Sequence, residues 1–233
     1  RNLIARQFPK AYESMRIAPL ANAYRDLMDT LKSQSSAGSN AHIALLTPGP
    51  YNETYFEHAY LARYLGLTLV EGSDLTVRDQ HLFLKTVRGL EPVHVLLKRL
   101  DDEFLDPLEL RSDSTLGVPG LLQAIRAGNV ILANAPGSAF LESPALLGFL
   151  PGISERLLNE KIQLPAMDTW WCGERAALEA AIPHLETSAI KPTYPHAPGH
   201  ASYDSCLGGG LSQSQLDEWI GRITRQPEDY TVQ

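Results

Sequence analysis

The chain has 233 residues, of which 44% are hydrophobic, and it carries a formal net charge of −7. That length buries about 70–75% of the unfolded surface, enough for one large domain or a medium and a small one. The acidic balance with no basic cluster argues against a nucleic-acid or anionic-membrane surface, so neither partner is expected. Two cysteines, Cys172 and Cys206, make no disulfide framework, and a reducing cytoplasm is the default expectation. No run approaches the roughly 18 apolar residues of a membrane span. The start at Arg1 and the β-branched stop at Tyr230-Thr231-Val232-Gln233 read as a piece of a longer polypeptide.

In chain order, Leu20, Tyr24, Leu27, Met28 and Leu31 recur at helical spacing and predict an amphipathic helix over 18–32. Residues 33–40, SQSSAGSN, read as a flexible linker, so 1–40 form an N-terminal appendage. Ile43 to Leu46 predict a strand that stops at Thr47-Pro48-Gly49-Pro50, because proline donates no N–H to a ladder. Asn52 is a suitable N-cap for a following helix, with Glu53 in its first turn. Phe56, Tyr60, Leu61, Tyr64 and Leu65 form the expected buried stripe, leaving Glu53, Glu57 and His58 off it. A second apolar run, Leu67 to Val70, completes a parallel βαβ unit.

Residues 75–85 predict a hairpin turning at Asp79-Gln80, and 93–97 a buried strand that ends in the mixed-charge loop 98–107. A helix over 118–127, a strand over 130–133 and two short helices near 144–149 and 151–159 follow. This alternation predicts an α/β, Rossmann-like, mostly parallel sheet over 41–165. Its strand-end loops, 47–52, 98–106 and 134–138, lie along one edge. Thr47, Asn52, Glu53, His58, Arg99, Asp101, Asp102, Asn134 and Ser138 are therefore the candidate substrate crevice. Taken singly, the loop charges also read as solvated surface.

From residue 166 the pattern changes to a small α+β unit running to 233. It holds Trp170-Trp171-Cys172, a helix on Ala177 to Leu185, a strand over 188–191, the turn Gly208-Gly209-Gly210, a helix over 213–225 and a returning strand at 230–233. Glycines let backbone N–H groups approach phosphates and a nearby lysine adds positive charge, although three glycines alone read equally as a flexible turn. His196, His200, Asp204 and Cys206 have a spacing that can hold zinc, but the Pro/Gly-rich context favours a loop that happens to bear histidines, and no metal site is assigned. Cys172 has no neighbouring histidine and reads as a buried structural thiol.

TPGPYNETYFEHAYLARYLG, LVEGSDLTVRD, DDEFLDPLELRSDSTLGVPGLLQAIRAGNV and TWWCG resemble the circularly permuted ATP-grasp proteins of type 2 over almost the whole chain. The resemblance implies a pre-ATP-grasp domain followed by a lid subdomain belonging to an incomplete ATP-grasp core. It also implies an ADP-forming carboxylate–amine or carboxylate–thiol ligase acting through an acyl phosphate, with the glutathionylspermidine-synthetase-like branch as nearest analogue. By the same resemblance Lys191 contacts ATP phosphates, Gly208, Gly209 and Gly210 cover them, and Gln233 begins the strand beside the adenine. ATP and Mg²⁺ are the implied cofactors, with the Mg²⁺ ligands elsewhere in the same polypeptide. The implied partner is a small molecule or peptide offering a carboxylate and an amine. The competing expectation is a Rossmann-like module that binds without catalysis.

Overall fold

The computed structural model describes residues 2–18, 20–195, 197 and 199–233, and divides into two compact units, 1–136 and 137–233. In the first unit, α1 (Asn2–Gln7), α2 (Pro9–Ser14) and α3 (Ala21–Gln34) precede β1 (Ile43–Leu46), α4 (Tyr55–Leu65) and β2 (Thr68–Val70). A three-stranded antiparallel ribbon follows, β3 (Leu75–Arg78), β4 (His81–Thr86) and β5 (Gly89–Pro92), then β6 (Val95–Lys98), α5 (Leu121–Arg126) and β7 (Ile131–Ala133). The second unit carries α6 (Leu146–Leu158), β8 (Trp170–Trp171), α7 (Arg175–Ala181), β9 (Ala189–Pro192), β10 (Cys206–Leu207), α8 (Gln213–Arg225) and β11 (Tyr230–Val232). The fold is the expected α/β class, a four-stranded parallel sheet accompanied by antiparallel sheets of four and three strands among the described residues.

β2, β1, β6 and β7 pair in parallel in that order. All four β1 residues are buried, as a strand covered on both faces requires. Ala44, Leu46, Leu96 and Leu132 pack on one side with Leu121 and Ala124 of α5 and Leu82 of β4. Ile43 and Val95 pack on the other with Met28 and Leu31 of α3. Each fully buried leucine contributes about 1.5–3 kcal/mol, so α3 belongs to the core of this unit.

Several expected details differ. The linker expected at 33–40 is ordered: Ser33 and Gln34 finish α3, Ser35 is buried, and Gly38–Asn40 form a 3₁₀ turn. Leu20 and Leu27 face outward, and Met28 and Leu31 carry the packing instead. α4 begins at Tyr55, because Asn52 Oδ1 accepts the Thr54 N–H at 2.9 Å and its hydroxyl at 2.6 Å, holding a turn where the helix was expected. Phe56, Tyr60 and Tyr64 are exposed, and His58 and Ala62 are the buried pair. The tyrosines pack against each other and against Tyr24. The two short helices expected after residue 143 are one helix, α6, with Pro151 inside it. The expected hairpin turns at Asp79 and Gln80, both left-handed as a two-residue turn demands, and gains β5 as a third strand.

The loop after β6 is held by Asp106, which is fully buried. Its Oδ1 accepts the Leu108 and Gly120 amides at 3.0 and 3.1 Å, and its Oδ2 accepts the Leu122 amide at 3.0 Å. One carboxylate thus fixes its own loop and the start of α5. Asp106→Ala leaves these amides without a partner and should lower the unfolding free energy by about 3 kcal/mol, read as a reduced midpoint in urea denaturation.

Candidate functional site

In the first unit the chain leaves β1 toward β2 on one side and, after the antiparallel ribbon, resumes at β6 on the other. The sheet order therefore reverses between β1 and β6, and the space beyond the carboxyl ends of those strands is where open α/β sheets place ligands. Thr47 and Arg99 continue the two ladders there: the Thr47 amide donates to Val70 O at 2.9 Å, and the Arg99 amide to Leu46 O at 2.8 Å. The edge reads Glu71, Thr47 and Arg99 across β2, β1 and β6, with neighbours about 4.8 Å apart, and Asn134 after β7 stands level with Lys98.

Behind this edge His58 joins the strand end to the helix. Thr47 Oγ1 lies 2.9 Å from its Nδ1 and Thr54 Oγ1 lies 3.1 Å from its Nε2. Burial, followed by the nearby Arg99 charge, lowers the His58 pKa, so the ring is held neutral. Thr47 Oγ1 also lies 3.3 Å from the Gly49 amide. Gly49 has φ +100°, and a methyl group there would stand 3.2 Å from the Glu71 carboxyl carbon. Glu71 was not among the expected residues; the sequence Glu71-Gly72-Ser73-Asp74 signals it as a reciprocal cap, which it makes with Asp74. Lys98 pairs with Asp102 at 2.5 Å, whereas Arg99 is exposed and has no ion-pair partner among the described residues. Asn52 is spent on its turn, Glu53 precedes the helix on the surface, and Asp101 is exposed ahead of a 3₁₀ turn. Ser138 opens the 3₁₀ turn Ser138–Glu142 of the second unit.

In the second unit the antiparallel order is β10, β9, β11, β8. Lys191 is opposite Thr231, and Ile190 is opposite Val232. Directly opposed residues share a face. Ile190, Tyr230 and Val232 fill a core with Cys172, Leu216 and Ile223, so Lys191 and Thr231 belong to the other, polar face. Thr193 joins it through its hydroxyl, 2.8 Å from that of Thr231. Gln233 extends the same row: its backbone pairs with Ala189 and its amide donates to Thr169 Oγ1 at 3.2 Å. Lys191 is half-buried and has no ion-pair partner among the described residues.

Gly208–Gly210 form a 3₁₀ turn at the opposite end of β9 from Lys191. The Gly208 amide donates to Ser188 O at 2.8 Å, and a methyl group at Gly208 would fall 1.8 Å from Leu185 O. Close backbone contact explains Gly208, while Gly209 and Gly210 are exposed. Ser188 and Lys191 are three residues apart, about 10 Å along the strand. The segment that grows directly from the Lys191 strand is residues 193–205.

Cys172 is buried and its thiol is pushed up to about 11 by burial, which suits a structural side chain. Of the histidine-rich stretch, His196 lies outside the described residues, and His200 contacts Asp229. No group of three or more His, Cys, Asp or Glu is arranged to hold a metal ion among the described residues. No described helix is long and apolar enough to cross a membrane.

The two units thus define an α/β protein with a switch-point crevice and, separately, a small sheet presenting a lysine on a polar face. The family model for circularly permuted ATP-grasp type 2 matches residues 1–233, and the chain belongs to that family. It is 34% identical over 234 residues to an uncharacterized protein of Mycobacterium tuberculosis, covering 100% of this chain and 42% of the relative. A second uncharacterized protein of M. tuberculosis is 36% identical over 236 residues, covering 100% of this chain and 26% of the relative. One from Synechocystis is 33% identical over 234 residues, covering 100% and 48%. The chain therefore spans less than half the length of these curated relatives.

The buried His58 makes the first unit acid-sensitive. Its native pKa lies below the ordinary 6.5, so its contribution is complete above about pH 6.5 and is lost as pH falls through the lowered native value. His94, whose Nδ1 accepts the His42 amide at 3.1 Å, is lowered for the same main reason and acts in the same direction. Urea midpoints should fall between pH 7.5 and pH 5. In His58→Gln that fall should be shallower, with about 1–2 kcal/mol less stability at pH 7.5.

Proposed function

We propose that this chain supplies the pre-ATP-grasp domain and most of the nucleotide lid of an ATP-dependent ligase. On this reading residues 1–40 lead in, 41–165 form the pre-ATP-grasp domain and 166–233 the lid part of the ATP-grasp core. The complete enzyme activates a carboxylate as an acyl phosphate and passes it to an amine or thiol, releasing ADP and phosphate. The glutathionylspermidine-synthetase-like branch is the nearest model for that chemistry. The observation that carries the reading is Lys191: a half-buried ammonium, without an ion-pair partner among the described residues, on a polar sheet face beside Thr231 and Gln233. A partly buried cation lacking a protein anion is a site for an anionic ligand.

Lys191 holds phosphate oxygens, Gln233 lies beside the base, and Gly209 and Gly210 offer unobstructed backbone to the nucleotide. When bound with ATP, Mg²⁺ neutralises charge on the phosphates; its ligands come from the rest of the polypeptide. The substrate belongs at the switch point. Arg99 receives a carboxylate, and the neutral His58 with Thr47 and Thr54 keeps the strand end rigid behind it. The ligand set is a small molecule or peptide bearing a carboxylate and an amine. A second reading, a non-catalytic Rossmann-like binding module, is favoured by the exposed Arg99 at the β1–β6 crevice, which needs no nucleotide to bind an anion.

Amine- or amino-acid-dependent ADP release by the complete polypeptide tests the ligase. Lys191→Ala should lower kcat/KM for ATP by about a hundredfold, or about 2.7 kcal/mol. Arg99→Ala should raise the KM of the carboxylate substrate and leave that of ATP alone. The 233-residue chain by itself should release no ADP. Absence of ADP release from the complete polypeptide across carboxylate and amine panels, with retained small-molecule binding, selects the binding module.

A further inference from the structure

α6 rests on its glycine side and turns its leucines outward. Leu146, Leu150, Ile153 and Leu157 recur at i, i+4, i+7 and i+11, with Leu147 and Leu158 flanking them, and the helical repeat sets Gly148 on the opposite side. That side meets the protein. A methyl group at Gly148 would fall 2.7 Å from Thr169 O, and the Phe149 ring packs edge-on against Trp171 at 6.3 Å between centroids. None of the 13 residues of the helix is buried. Leu147, Leu150, Ile153 and Leu158 are exposed, and Leu157 is 75% exposed. A helix of this length is marginal by itself, and Pro151, Gly148 and Gly152 weaken this one further, so its stability has to come from packing of its apolar face. Single exposed leucines are ordinary; a stripe of them along three turns marks a contact surface.

We propose that the segment following Gln233 in the complete polypeptide covers the apolar face of α6. The proposal rests on the reading of this chain as part of a longer protein, and not on any role for Lys191. The chain matches 42% of the M. tuberculosis relative and 48% of the Synechocystis one, so more than half of each lies outside the matched region. The position of Gln233 selects the occupant. β11 pairs with β8 so that Thr231 is level with Trp171 and Val232 with Trp170, which puts Gln233 level with Thr169. The Gln233 side-chain amide donates to Thr169 Oγ1 at 3.2 Å. Thr169 is also the residue on which Gly148 rests. Chain continuing from Gln233 in the direction of β11 therefore emerges at the foot of α6, and an apolar element within it reaches the stripe over a short connection. The charged residues of α6, Glu155 and Arg156, lie off the stripe, so an apolar occupant desolvates no charge.

A benzophenone photo-cross-linker in place of Leu157, and separately in place of Leu147, tests this in the complete polypeptide, with adducts mapped by peptide mass spectrometry. Both positions should join α6 to a peptide beyond Gln233. In Leu157→Cys, maleimide labelling of the substituted position should be about tenfold slower than in Val87→Cys, made at a fully exposed side chain in the turn between β4 and β5. Adducts confined to residues 1–233, to sequence before Arg1 or to a second copy, the last seen at twice the mass on a denaturing gel, overturn the proposal. So do the lack of any adduct at both positions and labelling at 157 as fast as at 87. ADP release by the same polypeptide then leaves the ligase reading standing. An intact mass showing that the natural polypeptide ends at Gln233 overturns the longer-protein reading as well.

Discussion

Four residues, Ile43 to Leu46, lie between β2 and β6, all buried and none with a polar side chain. Their backbone groups have only those two neighbours as partners, and an unpaired buried amide or carbonyl costs too much to tolerate. That requirement fixes the register of both ladders. The register in turn puts Thr47 beside Val70 and Arg99 beside Leu46. Every polar group of the crevice is thereby placed by a strand that carries none itself.

The two units meet the same need, a polar group presented from a rigid support, by different routes. In the parallel sheet the strand ends turn sharply, and side chains such as His58 and Asp106 satisfy the amides and hydroxyls that the turns leave open. In the antiparallel sheet one face is apolar and the other polar, so Lys191 is set by alternation along a strand whose neighbours Ile190 and Pro192 point the other way.

The errors of sequence reasoning share a cause. Periodicity ranks residues by hydrophobicity, and on α4 it selected Phe56, Tyr60 and Tyr64 for burial. The sheet below accepts small or fully hydrogen-bonded groups instead, so Ala62 and His58 face inward and the tyrosines stack outside. Likewise Asn52 looked like a helix cap and serves a turn, because its Oδ1 accepts both the amide and the hydroxyl of Thr54, two residues on. The Ser-rich stretch 33–40 looked mobile by composition, yet its N–H groups find partners at Lys32, Ser35 and Ala37.

The sequence by itself determined the opening βαβ unit, the hairpin at Asp79-Gln80, the α/β class and the family, because apolar spacing, turn residues and long motifs are local properties of a chain. It also singled out Lys191, Thr47 and Arg99, which stand on a strand or directly at a strand end. Only the tertiary structure decided that the sheet reverses between β1 and β6, that Glu71 and Asp106 attend the crevice loops, and that Asp229 reaches back 29 residues to His200. Those facts depend on which distant backbone groups lack a partner once the chain is packed, a quantity with no local signature.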